Sequence, residues 1–430
     1  MEPSLRGPNA HMSSPAIARE HAPPATDSLF NSFWMGGFEC ATHRRHDGKR
    51  LDCIASTRHD ELARQDYERL QNLGIQTARD GVRWYLCEPR IGFYDWSSVL
   101  NQIRASRETG TQIIWDLFHY GWPDDLNIFS PLFVETFGRF AGAFARLLRE
   151  EGEQSPIFAP VNEISFFAWG GGDAGFFNPY SHARGDDIKR NLVRSTIASI
   201  EAIWEVFPGA HIVHPDPIIN VLPGDNKAKS RQQAAFFHDL QFWSLDMIGG
   251  LREPELGGKI EYLDIIGANY YPYNQWQHPG GPGATIAPSD PRYRPLSELL
   301  VGVYERFKRP ILLSETGIEF DARPQWMHYI GREARAALRL GVPLQGVCWY
   351  PIVNHPGWDN DRHCLNGLWD YPSDTGERAA FAPMEQALLE EMNLMSKPEN
   401  ETSSFDMSLI DRATTSQGDL AEQSREKSAT

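Results

Sequence analysis

Two glutamates close apolar runs that lie far apart in the chain. Glu163 ends Ile157-Phe158-Ala159-Pro160-Val161-Asn162, and Glu315 ends Ile311-Leu312-Leu313-Ser314. A carboxylate at the end of a buried strand is costly unless it is paired or used, because desolvating a lone charge is expensive. Either glutamate alone suits a loop cap or an arginine partner. Two that converge on one pocket define a chemistry. One carboxyl protonates a glycosidic oxygen while the other attacks the anomeric carbon. A carboxyl separation of roughly 5–5.5 Å gives retention through a covalent intermediate. Mutual repulsion then holds a proton on one carboxyl at neutral pH, the state an acid requires.

Such convergence needs a frame. Short runs rich in β-branched and aromatic residues read as buried parallel strands. They are Ser32–Glu39, Thr77–Tyr85, Gln112–Phe118, Ile157–Glu163, His211–His214, Leu263–Tyr270, Pro310–Glu315 and Leu344–Tyr350. Helical stripes lie between them. Asp60 is placed to cap a helix carrying Leu62, Tyr67, Leu70 and Leu73 and stopped by Gly74. Ser130-Pro131 is a cap followed by proline at the first helical position. Strands alternating with helices predict a parallel sheet, and a count of eight favours a closed (β/α)8 TIM barrel over an open doubly wound sheet. Barrel enzymes carry their catalytic groups at the C-terminal strand ends. These ends are polar here: Glu39, Arg79, Asp116 with His119, Asn162-Glu163, His214 with Asp216, Asn269-Tyr270-Tyr271, Ser314-Glu315 and Trp349-Tyr350. Strands four and seven face each other across a barrel mouth, so Glu163 and Glu315 are expected to meet.

At these residues the sequence resembles the 4/7 superfamily of retaining glycoside hydrolases, and within it the β-glucosidase family, glycoside hydrolase family 1. The resemblance rests on Asn162-Glu163 and Ser314-Glu315-Thr316-Gly317, with Thr77-Ala78-Arg79, Phe118-His119-Tyr120-Gly121-Trp122-Pro123, Gly267-Ala268-Asn269-Tyr270-Tyr271 and Cys348-Trp349-Tyr350. It implies a β-glycosidase acting by double displacement, with Glu163 as acid/base and Glu315 as nucleophile. It further implies that Asn162 donates to the sugar 2-hydroxyl and that Arg79 lies beside Glu315. Tyr271, rather than Tyr270, would orient Glu315. His119 would contact a ring hydroxyl, Trp349 would floor the sugar site and Trp358 would form another wall. The chain departs from the family pattern in three places. Ile164 stands where Asn-Glu-Pro is usual, Glu39 stands for a glutamine, and His355-Pro356-Gly357-Trp358 replaces Asn-Phe-Glu-Trp. The missing glutamate grips the 4- and 6-hydroxyls, and Asp359, Asp361 and Glu39 are the carboxylates available to replace it. No lysine-rich phosphate pocket accompanies this region, which disfavours a 6-phospho sugar.

Composition narrows the partners. The net charge of −16 argues against nucleic acid and anionic membranes, both of which require a cationic face. The 13 tryptophans serve mainly core packing, and the surplus suits stacking on pyranose rings. Five cysteines, odd in number and without a C-x-x-C pair, predict free thiols in a reducing compartment. No signal-peptide core or membrane-length stretch is present in the sequence, so a cytoplasmic protein is expected. Residues 1–28 and 396–430 read as disordered tails flanking a glycosidase domain at 29–395. Neither cofactor nor metal is implied. Gly170-Gly171-Gly172-Asp173-Ala174-Gly175 matches a dinucleotide fingerprint in letters only; it joins no strand directly to a helix and reads as a loop over the sugar site. His43, His46 and His59 read as polar loop residues, and His214 and Asp216 as sugar contacts or plain hydrogen-bonding groups. A transglycosylase using the same residues, a non-catalytic carbohydrate-binding barrel and a metal-dependent barrel enzyme are the competing functions.

Overall fold

The computed structural model describes residues 28–280, 284–396 and 407–414. Its centre is a closed barrel of eight parallel strands. They are β1 (Trp34–Gly37), β2 (Thr77–Gly81), β3 (Gln112–Asp116), β4 (Ile157–Ala159), β5 (His211–Pro217), β6 (Ile265–Asn269), β7 (Ile311–Thr316) and β8 (Leu344–Trp349). Each expected strand is present, several of them shorter at their C-terminal ends. The second stops at Gly81, and Trp84–Cys87 turns into a helix rather than extending the strand.

The alternation of strand side chains separates two cores. Met35, Ile114, Ile157, Ala159, Val213, Ile265, Leu312 and Cys348 pack together inside the barrel. Ala78, Trp115, Phe158, Ile212, Ile266, Leu313 and Val347 join the larger core between barrel and helices. One step along the inward face from Ile114 lies Asp116, and one step from Leu312 lies Ser314. The barrel is thus apolar at its base and polar above. This layering explains why only the C-terminal strand ends carry chemistry.

The long helix Pro131–Glu150 starts as its sequence dictates: Ser130 caps it, accepting from the Phe133 N–H at 3.3 Å. The helix His59–Asn72 begins one residue before Asp60. Its cap is Arg58 in the left-handed region, with Asp60 in the first turn, where a negative charge favours the helix dipole. The glycine-rich segment is not a loop. Ala168–Asp173 forms a π-helix that continues the short helix Ile164–Phe167. Gly170, Gly171 and Gly172 are buried in it, and a Cβ on Gly172 would stand 2.7 Å from the Gly185 backbone. Close packing, not mobility, accounts for these glycines.

Apart from Ser28, the expected N-terminal tail lies outside the described residues. Within the stretch read as a C-terminal tail, residues 407–414 are helical and bury Ile410 and Thr414. No helix among the described residues is long and apolar enough to cross a membrane.

Candidate active site

Glu163 is set by its backbone. Beyond β4, the Asn162 N–H donates to the Phe118 carbonyl and the Glu163 N–H to the Pro215 carbonyl, both at 2.9 Å. The segment is therefore tied to the chains leaving β3 and to β5. Glu163 itself is left-handed, with φ 47° and ψ 60°. A non-glycine residue there costs on the order of 1–3 kcal/mol and persists only where its surroundings enforce it. Asp216 supplies part of that enforcement by accepting from the Ser165 N–H at 3.1 Å and the Ser165 hydroxyl at 2.8 Å. Burial lifts the Asp216 carboxyl to about 6, and its bonds from Ser244 and Ser165 oppose the rise.

Glu315 is set by a bulge. Against β6, Ala268 pairs with Leu313 but Asn269 with Glu315; against β8, Val347 pairs with Leu313 but Trp349 with Thr316. β7 thus carries an extra residue at Ser314–Glu315 relative to both neighbours. Strict alternation would send Glu315 outward after the inward Ser314. The bulge lets both face in, while Thr316 turns out and its hydroxyl accepts from the Trp326 indole N–H at 2.9 Å.

The two carboxyls belong to one buried network. Arg79 on β2 donates to Glu315 Oε1 at 2.6 Å from one nitrogen. Its other terminal nitrogen donates to Asp116 Oδ2 at 2.5 Å and to Asn162 Oδ1 at 2.8 Å. Tyr271 donates to Glu315 Oε2 at 2.9 Å. Glu163 receives a different set: the Tyr120 hydroxyl at 2.5 Å on Oε2 and the Asn269 amide at 2.9 Å on Oε1. The Asn269 oxygen accepts from Ser314 at 2.6 Å, which fixes its amide. One asparagine side chain therefore spans from β7 to Glu163. The Tyr350 ring lies under the Arg79 guanidinium at 5.1 Å, and Gly37 permits this, since a Cβ there would meet the ring at 2.1 Å.

These settings split the two acids. Burial, then the neighbouring Glu315 charge, raises Glu163 to about 8, with the Tyr120 and Asn269 bonds opposing the rise. Burial also raises Glu315, but Arg79 and His119 pull it back. Arg79 favours the charged form of Glu315, a support that the neutral donors around Glu163 do not give it.

The remaining residues singled out from sequence gather around this centre. The His119 Nε2 lies 3.2 Å from the Asn162 amide nitrogen and 3.7 Å from the Glu39 carboxylate. Tyr270, by contrast, points away into a cluster with Tyr293 and Gln275. Trp349 is buried in register with Thr316, and its indole is fixed by the Asn366 carbonyl at 3.0 Å. Trp358 stands edge-on to Tyr120 at 5.3 Å. Of the three candidate replacement carboxylates, Glu39 lies in the network. Asp361 is held outside it by Arg45 and Lys49, with 72% of its side chain exposed. Asp359 is exposed, near His46 and Arg45.

Asn269 and Asp116 were visible as polar strand ends and Tyr120 as part of the Phe118–Pro123 motif, but none carried an assigned role. Tyr120 has φ 66°, a conformation its residue type does not advertise. Cys40, Asp116 and His119 bring ligand-type atoms within 4.8 Å of one another. Asp116 Oδ2, however, already meets Arg79, so the cation here is a guanidinium. His214 donates to the Tyr262 carbonyl at 2.7 Å, and His59 is buried between Asp66 and Asp80. Both serve packing and hydrogen bonding.

The fold defines a class, the (β/α)8 barrel. No protein-family model and no curated protein sequence matches the chain. Among solved structures, it is similar to the family 1 b-glucosidase from Thermotoga maritima, with a TM-score of 0.67 and 17% identity over 81% of this chain and 90% of that one. It is also similar to the Thermotoga maritima beta-glucosidase in complex with glucoimidazole, with a TM-score of 0.70 and 15% identity over 86% and 98%. A hyperthermophilic beta-glucosidase mutant matches with a TM-score of 0.66 and 15% identity over 84% and 99%. At such identities the likeness is one of fold.

Proposed function

We propose that the chain is a retaining β-glycosidase, an O-glycosyl hydrolase of the β-glucosidase type and a divergent relative of glycoside hydrolase family 1. The observation that carries this reading is the unequal partnering of two buried carboxyls in one network. Glu315 faces Arg79 and Tyr271, whereas Glu163 faces neutral donors and is raised to about 8. An ionised nucleophile beside a protonated acid is the starting state of double displacement.

In the first step a Glu315 oxygen attacks the anomeric carbon as the glycosidic bond breaks, and the Glu163 proton goes to the leaving oxygen. In the second, Glu163 takes a proton from water, the resulting oxygen attacks the anomeric carbon, and the bond to Glu315 breaks. The side chains nearest the carboxyls suit the carbohydrate. Asn162 would donate to the 2-hydroxyl, His119 and Glu39 would meet other ring hydroxyls, and Trp349 and Trp358 would offer apolar faces. The folded unit at 29–395 would act as a single catalytic domain. Five buried free thiols support a reducing, cytoplasmic setting.

The test is a screen of aryl β-glycosides with the wild type, Glu163→Ala and Glu315→Ala. Wild type should turn over at least one glycoside, and Glu315→Ala should lose nearly all turnover. Azide should restore Glu163→Ala on substrates with good leaving groups, yielding a β-glycosyl azide. An inactive wild type across the panel, or a Glu315→Ala variant of full activity, rejects the proposal.

A further inference from the structure

The acid/base assignment leaves one close contact unexplained. Tyr120 is fully buried, sits at a positive φ, and aims its hydroxyl at Glu163 Oε2 from 2.5 Å. The Tyr120 hydroxyl oxygen in turn accepts from the Asn162 amide at 3.1 Å. A tyrosine held in the left-handed region spends backbone free energy on the order of 1–3 kcal/mol, which its packing must offset. Its ring is held by Phe167, stacked at 5.5 Å, and by the edge of Trp358 at 5.3 Å. The phenol is thus aimed by packing from two elements.

We propose, on the glycosidase reading above, that Tyr120 is a positioning residue for the acid/base: its phenol fixes the carboxyl plane of Glu163 and joins that carboxyl through Asn162 to the Arg79–Glu315 pair. The geometry explains how. Asn269 occupies a lone pair on one Glu163 oxygen and Tyr120 a lone pair on the other. Two fixed donors, one per oxygen, define the carboxyl plane and leave the remaining lone pairs in set directions. The acidic proton then has a defined place towards the leaving oxygen. Asn162, which receives Arg79 on its oxygen, gives its amide hydrogen to Tyr120, so a continuous chain runs Arg79, Asn162, Tyr120, Glu163. The ionisable groups around Glu163 are Glu315 on β7, Asp216 on β5, and Tyr120, Tyr271 and Tyr273 from the loops. Of these, Tyr120 bonds Glu163 directly and stays protonated, because burial and then the Glu163 charge raise its phenol well above the usual range.

Tyr120→Phe removes one oxygen and keeps the ring. A lost donor disfavours the carboxylate, so the basic limb of kcat/KM should move up by about one pH unit. Hydrolysis of phenyl β-glucoside, whose leaving group needs the proton, should fall by about tenfold or more. Hydrolysis of 2,4-dinitrophenyl β-glucoside should fall far less. If Tyr120→Phe fails to fold, replacing Tyr120 with 3-fluorotyrosine, isosteric but more acidic, should move the limb downward. An unmoved limb in the variant that folds, with both glucosides slowed equally, overturns the role of Tyr120. Wild type that neither hydrolyses these glucosides nor takes a 2-fluoro glycosyl label on Glu315 overturns the glycosidase reading itself, a result distinct from the first.

Discussion

The Arg79 guanidinium meets the Glu315 carboxylate at 2.6 Å on side chains only 1% and 5% exposed. The same guanidinium also holds Asp116, so a single cation serves two buried anions. Removing it would take the nearest cation from Glu315 and leave Asp116 with His119 alone. Breaking a buried pair on one side typically costs about 3–5 kcal/mol, because the remaining charge keeps its desolvation penalty. Arg79→Ala should therefore lose stability of that order in urea unfolding, along with nearly all activity. A loss below about 1 kcal/mol would contradict the described network.

The adjacent tyrosines should separate cleanly. Tyr271 bonds Glu315, so Tyr271→Phe should lower kcat/KM by roughly 10- to 100-fold with little change in Tm, as for a bond to a charged group. Tyr270 accepts from Gln275 at 2.9 Å in a buried cluster, so Tyr270→Phe should cost about 1–2 kcal/mol of stability and little turnover. Steady-state kinetics and thermal melts of the two variants check this. The reverse pattern would exchange their roles.

Activity should fall as pH rises through about 8, because the proposed first step needs Glu163 protonated and burial raises its carboxyl to that value. The kcat/KM profile of the wild type gives this limb directly. A basic limb near the ordinary glutamate range would remove Glu163 from the role of acid.

A second titration bears on stability. His59 is buried between Asp66 and Asp80, at 2.8 and 2.9 Å. Burial lowers it, but the two carboxylates prevail and raise it to about 9. Its folded pKa exceeds the unfolded value of about 6.5, so its stabilisation is complete below that pH and is lost as pH rises towards 9. The Tm should decline across this window, and His59→Gln should be less stable at pH 6 and flatter above it. A Tm of the wild type that rises between pH 6.5 and 9 would reverse the sign of this linkage.

Much of the site was legible because polar residues interrupt apolar strands, and a barrel brings all such ends to one rim. Arg79, Asn162, Glu163, Tyr271 and Glu315 announced themselves in this way. What the sequence could not convey was local backbone departure. The extra residue at Ser314–Glu315 that turns Glu315 inward has no glycine or proline to mark it. The left-handed residue at 120 is a tyrosine rather than a glycine, so its hydroxyl gave no sign of facing Glu163. The glycines at 170–172 misled in the opposite sense: they read as freedom, whereas the chain uses them for close packing in a π-helix. Glu39 was legible as a departure, and its 3.7 Å approach to His119 required the folded chain.

The central claim is that Glu315 forms a covalent bond to the sugar. A 2-deoxy-2-fluoro β-glycoside with a good leaving group slows release of the intermediate, so the labelled peptide can be isolated and sequenced by mass spectrometry. A single label is expected, on Glu315, formed by wild type and absent from Glu315→Ala. A label on another residue, or turnover with inverted configuration and no label, contradicts it.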